Sequence, residues 1–193
     1  MLDIGTIKRD VPQHFMVPNM LLLAGASQNV GKTSFAIGII RKLKNEGHKV
    51  YGLKITPHFH KDKPDHLIVQ TDEYQIAIEK SLTGKKDSSK MLLAGAEEVF
   101  FVQIKSDFYL PEVFDTINRM TEKEVLWVCE SGGLRNFVQP GLFLYLKLKD
   151  QVPEKMSAKK LMPLADLIVN FDGLDFDLSF DNIVVVQNNF RFI

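Results

Sequence analysis

One segment near the start of the chain, residues 20–44, limits the fold more than any other part of the sequence. Residues 20–24 (MLLLA) form an unbroken apolar run, which is typical of a strand buried on both faces of a parallel sheet. Residues 25–31 are small or polar, whereas residues 33–44 repeat apolar side chains at helical spacing, and Gly47 suits the cap that follows. The segment therefore predicts a strand, a tight loop and a helix in direct succession.

The rest of the chain continues this alternation. Further strands are predicted at residues 5–8, 49–55, 74–78, 99–104, 124–129, 142–148, 167–171 and 183–186, and helices at residues 87–94, 113–120 and 159–162. Asp87 or Ser88 is suited to cap the first of these helices. Residues 57–72 are polar, with three histidines and two prolines, and predict a long loop. The alternation predicts an α/β fold in three layers, with a mostly parallel central sheet flanked by helices, as a single domain over residues 1–193.

The charge balance and the apolar runs narrow the class of protein. Basic and acidic residues number 24 each, so the formal net charge is zero. Because such a chain lacks the positive field of proteins that coat nucleic acids, we expect no nucleic-acid partner. No apolar run approaches the roughly 18 residues that cross a bilayer, and no secretory signal is visible, so we expect no membrane partner and a cytoplasmic location. The single cysteine, Cys129, excludes an internal disulfide and is expected to be a small buried side chain.

The loop of the opening segment carries a recognisable motif. Residues 26–33 (ASQNVGKT) match the Walker A pattern G-x-x-x-x-G-K-[ST], with alanine in place of the first glycine. Backbone N–H groups of such a loop cradle phosphate oxygens, the lysine reaches the β- and γ-phosphates, and the Thr hydroxyl can ligate Mg²⁺. The motif predicts binding of a nucleoside triphosphate with Mg²⁺. The residues predicted to contact the nucleotide are Ala26, Ser27, Gln28, Asn29, Val30, Gly31, Lys32, Thr33 and Ser34.

A second acidic element follows the apolar strand at residues 124–129. Glu130 would lie at the carboxyl end of that strand and would face the same crevice as the loop. We therefore predict that Glu130 and Thr33 form the metal site, and that Lys32 and Glu130 are the catalytic pair. Residues 131–133 could approach the ligand with bare backbone or form a plain turn, and Arg135 could contact a phosphate or be an ordinary surface arginine.

These residues together resemble the MobB-type GTP-binding proteins. The likeness covers residues 20–135: the loop, Lys54 followed by His58 and His60, the stretch GKKDSSK at residues 84–90, AGAEEV at residues 94–99, and Glu130. The resemblance implies an accessory protein of molybdopterin guanine dinucleotide biosynthesis that hydrolyses GTP slowly, serves a cofactor-biosynthesis enzyme and pairs as a homodimer. Ser131 and Lys90 depart from the glycine and arginine common in that family.

A second resemblance leads to a different activity. The turn Glu-Ser-Gly-Gly at residues 130–133 is similar to the Glu-Gly-Ala-Gly-Gly loop of dethiobiotin synthetase and the cobyrinate amidases. These enzymes share the same broad P-loop class and use ATP to activate a carboxylate. In them a lysine after the second strand contacts phosphate or substrate, which implies that role for Lys54. The alternative function is thus an ATP-dependent ligase or kinase acting on a small-molecule acceptor, and a third is a nucleotide-gated interaction protein.

Some assignments stay open at this stage. The guanine-reading motif Asn-Lys-x-Asp does not occur, and Asn170 and Asp172 mark a strand end where a base-reading loop could lie, so the sequence does not separate GTP from ATP. Asp87 could touch the ligand as well as cap a helix. A group at residues 58–66 could bind a metal or form a polar active-site loop, the loop being favoured because Mg²⁺ prefers oxygen ligands. This group comprises His58, His60, Asp62, Asp65 and His66.

Overall fold

The computed structural model of the chain describes residues 15–57, 59, 66–150 and 156–193, and within these ranges strands and helices alternate as expected. The strands are β1 (Phe15–Gly25), β2 (Val50–Thr56), β3 (Leu67–Gln70), β4 (Tyr74–Ile78), β5 (Glu98–Ile104), β6 (Leu126–Glu130), β7 (Val138–Leu148), β8 (Leu167–Phe171), β9 (Ile183–Val186) and β10 (Asn189–Phe192). The α-helices are α1 (Lys32–Asn45), α2 (Asp87–Leu93), α3 (Leu110–Met120) and α4 (Met156–Leu161).

Eight strands form one sheet in the order β3-β4-β5-β2-β6-β1-β7-β8. The six strands from β5 to β8 in this order are mutually parallel, whereas β4 and β3 are added at one edge in antiparallel pairs. Because these six strands point the same way, their carboxyl ends all lie along one side of the sheet, which we call its carboxyl edge. The loops that carry the predicted site residues leave from this edge.

Helices cover both faces of the sheet, which gives the predicted three-layer α/β arrangement. On one face, α1 packs against β1 and β6, α2 packs against β2 and β5, and the β9–β10 hairpin lies against β1 and β7. The stripe of α1 that includes Ile39 and Ile40 is fully buried. On the other face, α3 and α4 contribute Val113 and Leu161 to a core with Trp127. Cys129 lies in this core as predicted, and burial raises the pKa of its thiol well above the usual value.

The structure departs from the sequence-based expectation in several elements: β7, α3 and α4 begin three or four residues earlier than predicted, β10 was not predicted, and the clearest differences are in β1, β3 and β9. β1 begins at Phe15 rather than residue 20, because Phe15, Met16 and Val17 also pair with β7. The pairing then changes register between Val17 and Leu21, where the Pro18 carbonyl lies so close to Gly141 that a Cβ would not fit. The prediction of one loop over residues 57–72 was wrong, since β3 forms within it as an edge strand on β4. β9 pairs with β10 in a separate hairpin and does not join the main sheet.

Two further expectations concern the range of residues that the structure describes. The predicted short strand at residues 5–8 lies outside the described residues. Among the helices that the structure does describe, none combines the length and the apolar character needed to span a membrane.

Candidate functional site

The loop between β1 and α1, residues 26–31, has a backbone suited to anion binding. Asn29 (φ 59°) and Gly31 (φ 84°) are both left-handed, and residues of this kind alternating with right-handed ones turn successive N–H groups to one side. Ala26 is buried, and its N–H donates to the Leu146 carbonyl at 3.0 Å. Ala26 does not have a positive φ, so alanine replaces the glycine of the Walker A pattern without backbone strain.

The start of α1 adds positive charge to the same place. α1 spans 14 residues, and its first turn reads Lys-Thr-Ser-Phe without an acidic residue that would offset the positive end of the helix dipole. The Lys32 amine donates to the Ser27 carbonyl at 2.7 Å and so lies across the loop. A phosphate chain resting on the loop would therefore meet the Lys32 charge and the N-terminus of α1 together.

Glu130 stands at the centre of the polar contacts at this edge of the sheet. Its side chain is only 4% exposed, and its two carboxylate oxygens have different partners. Thr33 Oγ1 donates to Oε2 at 3.0 Å, and Lys54 Nζ donates to Oε1 at 2.5 Å. Because β6 lies between β1 and β2 in the sheet, one carboxylate joins the start of α1 to the end of β2.

Lys54 extends this network to α2. Its Nζ lies 3.2 Å from Asp87 Oδ2, while Lys90 Nζ lies 3.4 Å from Asp87 Oδ1. The prediction that Asp87 or Ser88 caps α2 was wrong, because Lys86 occupies the N-cap position and Ser89 Oγ accepts from its N–H at 3.1 Å. Asp87 therefore acts as an ion-pair partner that faces the site.

All of these groups line one cleft of about 910 Å³ at the carboxyl edge of the sheet. The structure thus brings together every predicted nucleotide contact except Val30, whose side chain is fully buried under the loop. The cleft also contains Lys54 and Glu130, which the sequence placed there. Sequence reasoning missed Phe101, Phe171, Lys85 and Lys86 as further members of the lining.

The turn after Glu130 is only partly open to the cleft. Ser131 is buried, and its hydroxyl accepts from the Leu134 N–H at 3.2 Å. Gly132 lines the cleft with open space beside its Cα, so bare backbone is presented there. Gly133 instead lies directly under the Asp107 carboxylate, where a Cβ would come within 2.3 Å of an oxygen, and burial raises the pKa of Asp107. Residues 131–133 thus combine backbone that faces the cleft with a structural turn, the two features that the sequence left as alternatives.

Within the described residues, the other candidates from the sequence do not line the cleft. Arg135 donates to the Val138 carbonyl at 3.2 Å and lies over the Phe143 ring. Asn170 donates to both carboxylate oxygens of Asp177, and Asp172 accepts from the N–H groups of its own turn, which lower its pKa. His66 is exposed, and the remaining candidates for the histidine-rich metal group lie outside the described residues. No cluster of three potential metal ligands occurs within the described ranges.

Aromatic side chains from the C-terminal segment pack against the glycine of the loop. Phe171 and Phe176 stack with ring centroids 4.8 Å apart, and Phe176 meets Phe35 of α1 edge to face at 5.0 Å. Both stacked rings lie against Gly31, where an added Cβ would come within 2.7 Å of Phe176. The glycine of the loop is therefore required by packing as well as by its backbone angle.

This double constraint gives a prediction for Gly31→Ala. We expect the substitution to lower the free energy of unfolding by about 2–3 kcal/mol, since it adds a steric clash to an unfavourable positive φ. Gly47→Ala is the matched control, because Gly47 has nearly the same φ of 83° but nothing within 4 Å of an added Cβ, so it should cost only about 1 kcal/mol. Urea denaturation of both variants measures the difference, and equal losses would mean that the Phe176 contact is absent.

A second prediction concerns the ion pair between Lys54 and Asp87. Burial raises the pKa of Asp87, but the charges and hydrogen bonds of Lys54 and Lys90 outweigh this effect and hold the pKa below its usual value. The pair therefore stabilises the fold above the ordinary pKa of an aspartate, and this contribution is lost as the pH falls through the lowered pKa of the folded state. We expect Lys54→Met to raise the pKa of Asp87 in a carbon-detected NMR titration.

Lys80→Met is the control for that titration, because Lys80 is exposed and belongs to neither ion pair of Asp87. It should leave the Asp87 titration curve in place. An Asp87 curve that stayed unmoved in Lys54→Met would show that the contact at 3.2 Å does not persist in solution.

Comparison of the chain with protein-family models, with curated proteins and with solved structures gives no match in any of the three. The resemblance of residues 20–135 to the MobB-type proteins therefore stays a prediction from the sequence.

Proposed function

We propose that this protein binds GTP or ATP with Mg²⁺ in the cleft and hydrolyses the nucleotide slowly, as a MobB-like accessory protein of cofactor biosynthesis. The observation that supports this most is the contact between Thr33 and Glu130. Two side chains 97 residues apart, each suited to a metal, meet at 3.0 Å beside the lysine that the Walker A pattern assigns to phosphate. A chance Gly-Lys-Thr turn would not require such a partner.

The oxygen atoms at this point fit Mg²⁺. Thr33 supplies a hydroxyl and Glu130 a carboxylate, and hard oxygen ligands from one or two side chains together with phosphates are what Mg²⁺ prefers. Bound there, Mg²⁺ would neutralise charge on the β- and γ-phosphates. The cleft would then supply a metal site that forms only when nucleotide and protein ligands are both present.

The remaining residues have separate roles in this proposal. Loop residues 26–31 and the N-terminus of α1 bind the phosphates through N–H groups, and Lys32 neutralises them. Glu130 would hold the metal and orient the attacking water. Lys54 holds the Glu130 carboxylate in place through the contact at 2.5 Å, so it is a positioning residue in the ligand-free protein.

A second candidate function is an ATP-dependent ligase or kinase of the dethiobiotin synthetase type. It is favoured by the position of Lys54, which lies between Glu130 and Asp87 and lines the same cleft. In this alternative Lys54 contacts the γ-phosphate or the carboxylate of a small acceptor. The nucleotide-gated interaction protein remains the third hypothesis, and the homodimer remains part of the MobB resemblance.

One experiment tests the proposal and separates the first two candidates. Wild-type protein is titrated with fluorescent GTP and ATP analogues, with Mg²⁺ and with EDTA, and phosphate release is then followed without any added acceptor. We expect saturable binding of at least one nucleotide that is stronger with Mg²⁺, together with slow release. Binding of neither nucleotide would overturn the proposal, whereas binding without release until a small carboxylate is added would favour the ligase.

A further inference from the structure

The cleft extends well beyond the residues that a triphosphate would need. Thr33 and Glu130 mark the position of the terminal phosphates, and they lie on the β6 side of the loop. The nucleoside would therefore extend to the opposite side, where β8 ends in Phe171. The remaining part of the cleft, between the end of β2 and α2, would not contact the nucleotide. We call this part the α2 wall. It comprises Lys54, Lys85, Lys86, Asp87, Lys90 and Phe101.

The α2 wall is strongly cationic although the chain is electrically neutral. Basic and acidic residues balance at 24 each over the whole sequence, yet the described lining of the cleft has five lysines and only two carboxylates. One of the lysines, Lys32, is the first residue of α1, and the other four lie on the α2 wall. Such a local excess of one sign in a concave site concentrates ligands of the opposite charge.

Only some of the lysines on the α2 wall form ion pairs within the described residues. Lys54 lies between Glu130 and Asp87, and Lys90 shares Asp87 at 3.4 Å. Lys85 and Lys86 are exposed, and within the part of the chain that the structure describes their amines form no ion pair. These two amines are therefore available to a ligand.

The position of the wall relative to the triphosphate is set by a chain of contacts. Thr33, Glu130 and Lys54 are joined by distances of 3.0 and 2.5 Å, and Lys54 is 3.2 Å from Asp87. A ligand held at α2 would thus lie next to the terminal phosphate rather than next to the base. Phe101, which is in register with Lys54 on the neighbouring strand, adds an apolar surface beside Lys54.

We propose that the α2 wall binds a second, small anionic ligand, a carboxylate or a phosphate ester with an apolar portion, through Lys85, Lys86 and Lys90. The inference rests on the proposed function only in assigning the triphosphate to the loop at residues 26–31. It names the chemical class of the acceptor or effector and the residues that select it. Asp87 holds Lys54 and Lys90 on this wall, and the ligand anion would share their charge.

The test uses the full chain and two simple probes, inorganic phosphate and succinate. Each is titrated into uniformly labelled wild-type protein, and backbone amide signals are followed by NMR. We expect at least one probe to shift the amides of residues 85–90, and the probe that does so tells whether phosphate or carboxylate is preferred. Shifts confined to residues 26–33, or no shifts at all, would overturn the inference.

Paired variants keep the result specific. In Lys85→Ala/Lys86→Ala we expect probe affinity to fall about fivefold or more, because each lost amine removes one charge-assisted contact at a partly solvated site. Lys80→Ala/Lys123→Ala removes two exposed lysines outside the cleft and should leave affinity unchanged. Equal losses of affinity in the two double variants would mean that net charge alone causes the effect, and would reject a specific anion site.

The same spectra distinguish this inference from the proposed function. Addition of GTP or ATP with Mg²⁺ should shift residues 26–33 in wild type and in Lys85→Ala/Lys86→Ala alike. If the nucleotides leave residues 26–33 unmoved while a probe still shifts residues 85–90, the proposed function fails and the anion site stands. The reverse pattern leaves the proposed function intact and removes the anion site.

Discussion

Lys32→Ala should abolish measurable nucleotide binding at concentrations that saturate the wild type. The Lys32 amine lies over the loop at residues 26–31, 2.7 Å from the Ser27 carbonyl, and would contact two phosphate groups. Charge-assisted hydrogen bonds are worth about 1.5–3 kcal/mol each, so loss of two of them predicts a decrease in affinity of about 100-fold or more. Titration with the fluorescent GTP and ATP analogues measures the change.

Lys44→Ala is the control for that substitution. Lys44 lies in the last turn of the same helix and pairs with Glu97 at the protein surface, away from the cleft. An exposed pair of this kind contributes little to stability, and nucleotide affinity should stay within about twofold of wild type. Undiminished binding of both nucleotides to Lys32→Ala, with the fold intact by circular dichroism, would remove the loop from the binding site.

The second large effect is expected from Glu130→Gln. The substitution keeps the size of the side chain, and its amide oxygen can still accept from Lys54 while its NH2 group faces the Thr33 hydroxyl, but it removes the negative charge that a metal ion needs. We expect hydrolysis in the presence of Mg²⁺ to slow by about 100-fold or more, since both the metal site and the oriented water depend on the carboxylate. Nucleotide affinity in EDTA should change little, because the loop and Lys32 are untouched.

Two measurements together make this prediction decisive. Phosphate release reports hydrolysis, and nucleotide titration with and without Mg²⁺ reports the contribution of the metal. Glu122→Gln is the matched control, because Glu122 forms a solvent-exposed pair with Lys49 and should leave both quantities unchanged. If Glu130→Gln hydrolyses nucleotide at the wild-type rate, another group must hold the metal and orient the water.

The positions of the main elements could be predicted because their patterns are local. The apolar run at residues 20–24 lies in β1, and residues 33–44, whose apolar side chains repeat at helical spacing, lie in α1. Both patterns are visible because the buried face of a strand or helix requires apolar residues at regular positions in the sequence. The same logic placed Glu130 and Lys54 at the ends of neighbouring parallel strands. Their meeting at the carboxyl edge follows from strand direction alone once the strands are parallel.

Other features could not be predicted because they depend on partners distant in the chain. Aspartate is a residue type that often caps helices, but Asp87 instead forms an ion pair with Lys54, which has the opposite charge. β3 was hidden in a polar, histidine-rich segment, and it forms because the edge of β4 offers unpaired backbone groups to Leu67–Gln70. Phe171 reaches the cleft only because β8 is added beside β7.

The sequence by itself determined the α/β layering, the loop at residues 26–31 and the presence of a lysine, a threonine and a glutamate that could serve one site. It could do so because strand and helix periods, turn glycines and motif spacing are properties of a few neighbouring residues. The tertiary structure alone decided that Glu130 joins Thr33 to Lys54, that the C-terminal aromatic rings cover Gly31 and that four lysines gather on the α2 wall. Those contacts depend on the order of strands in the sheet, which brings together side chains whose separation along the chain carries no local signal.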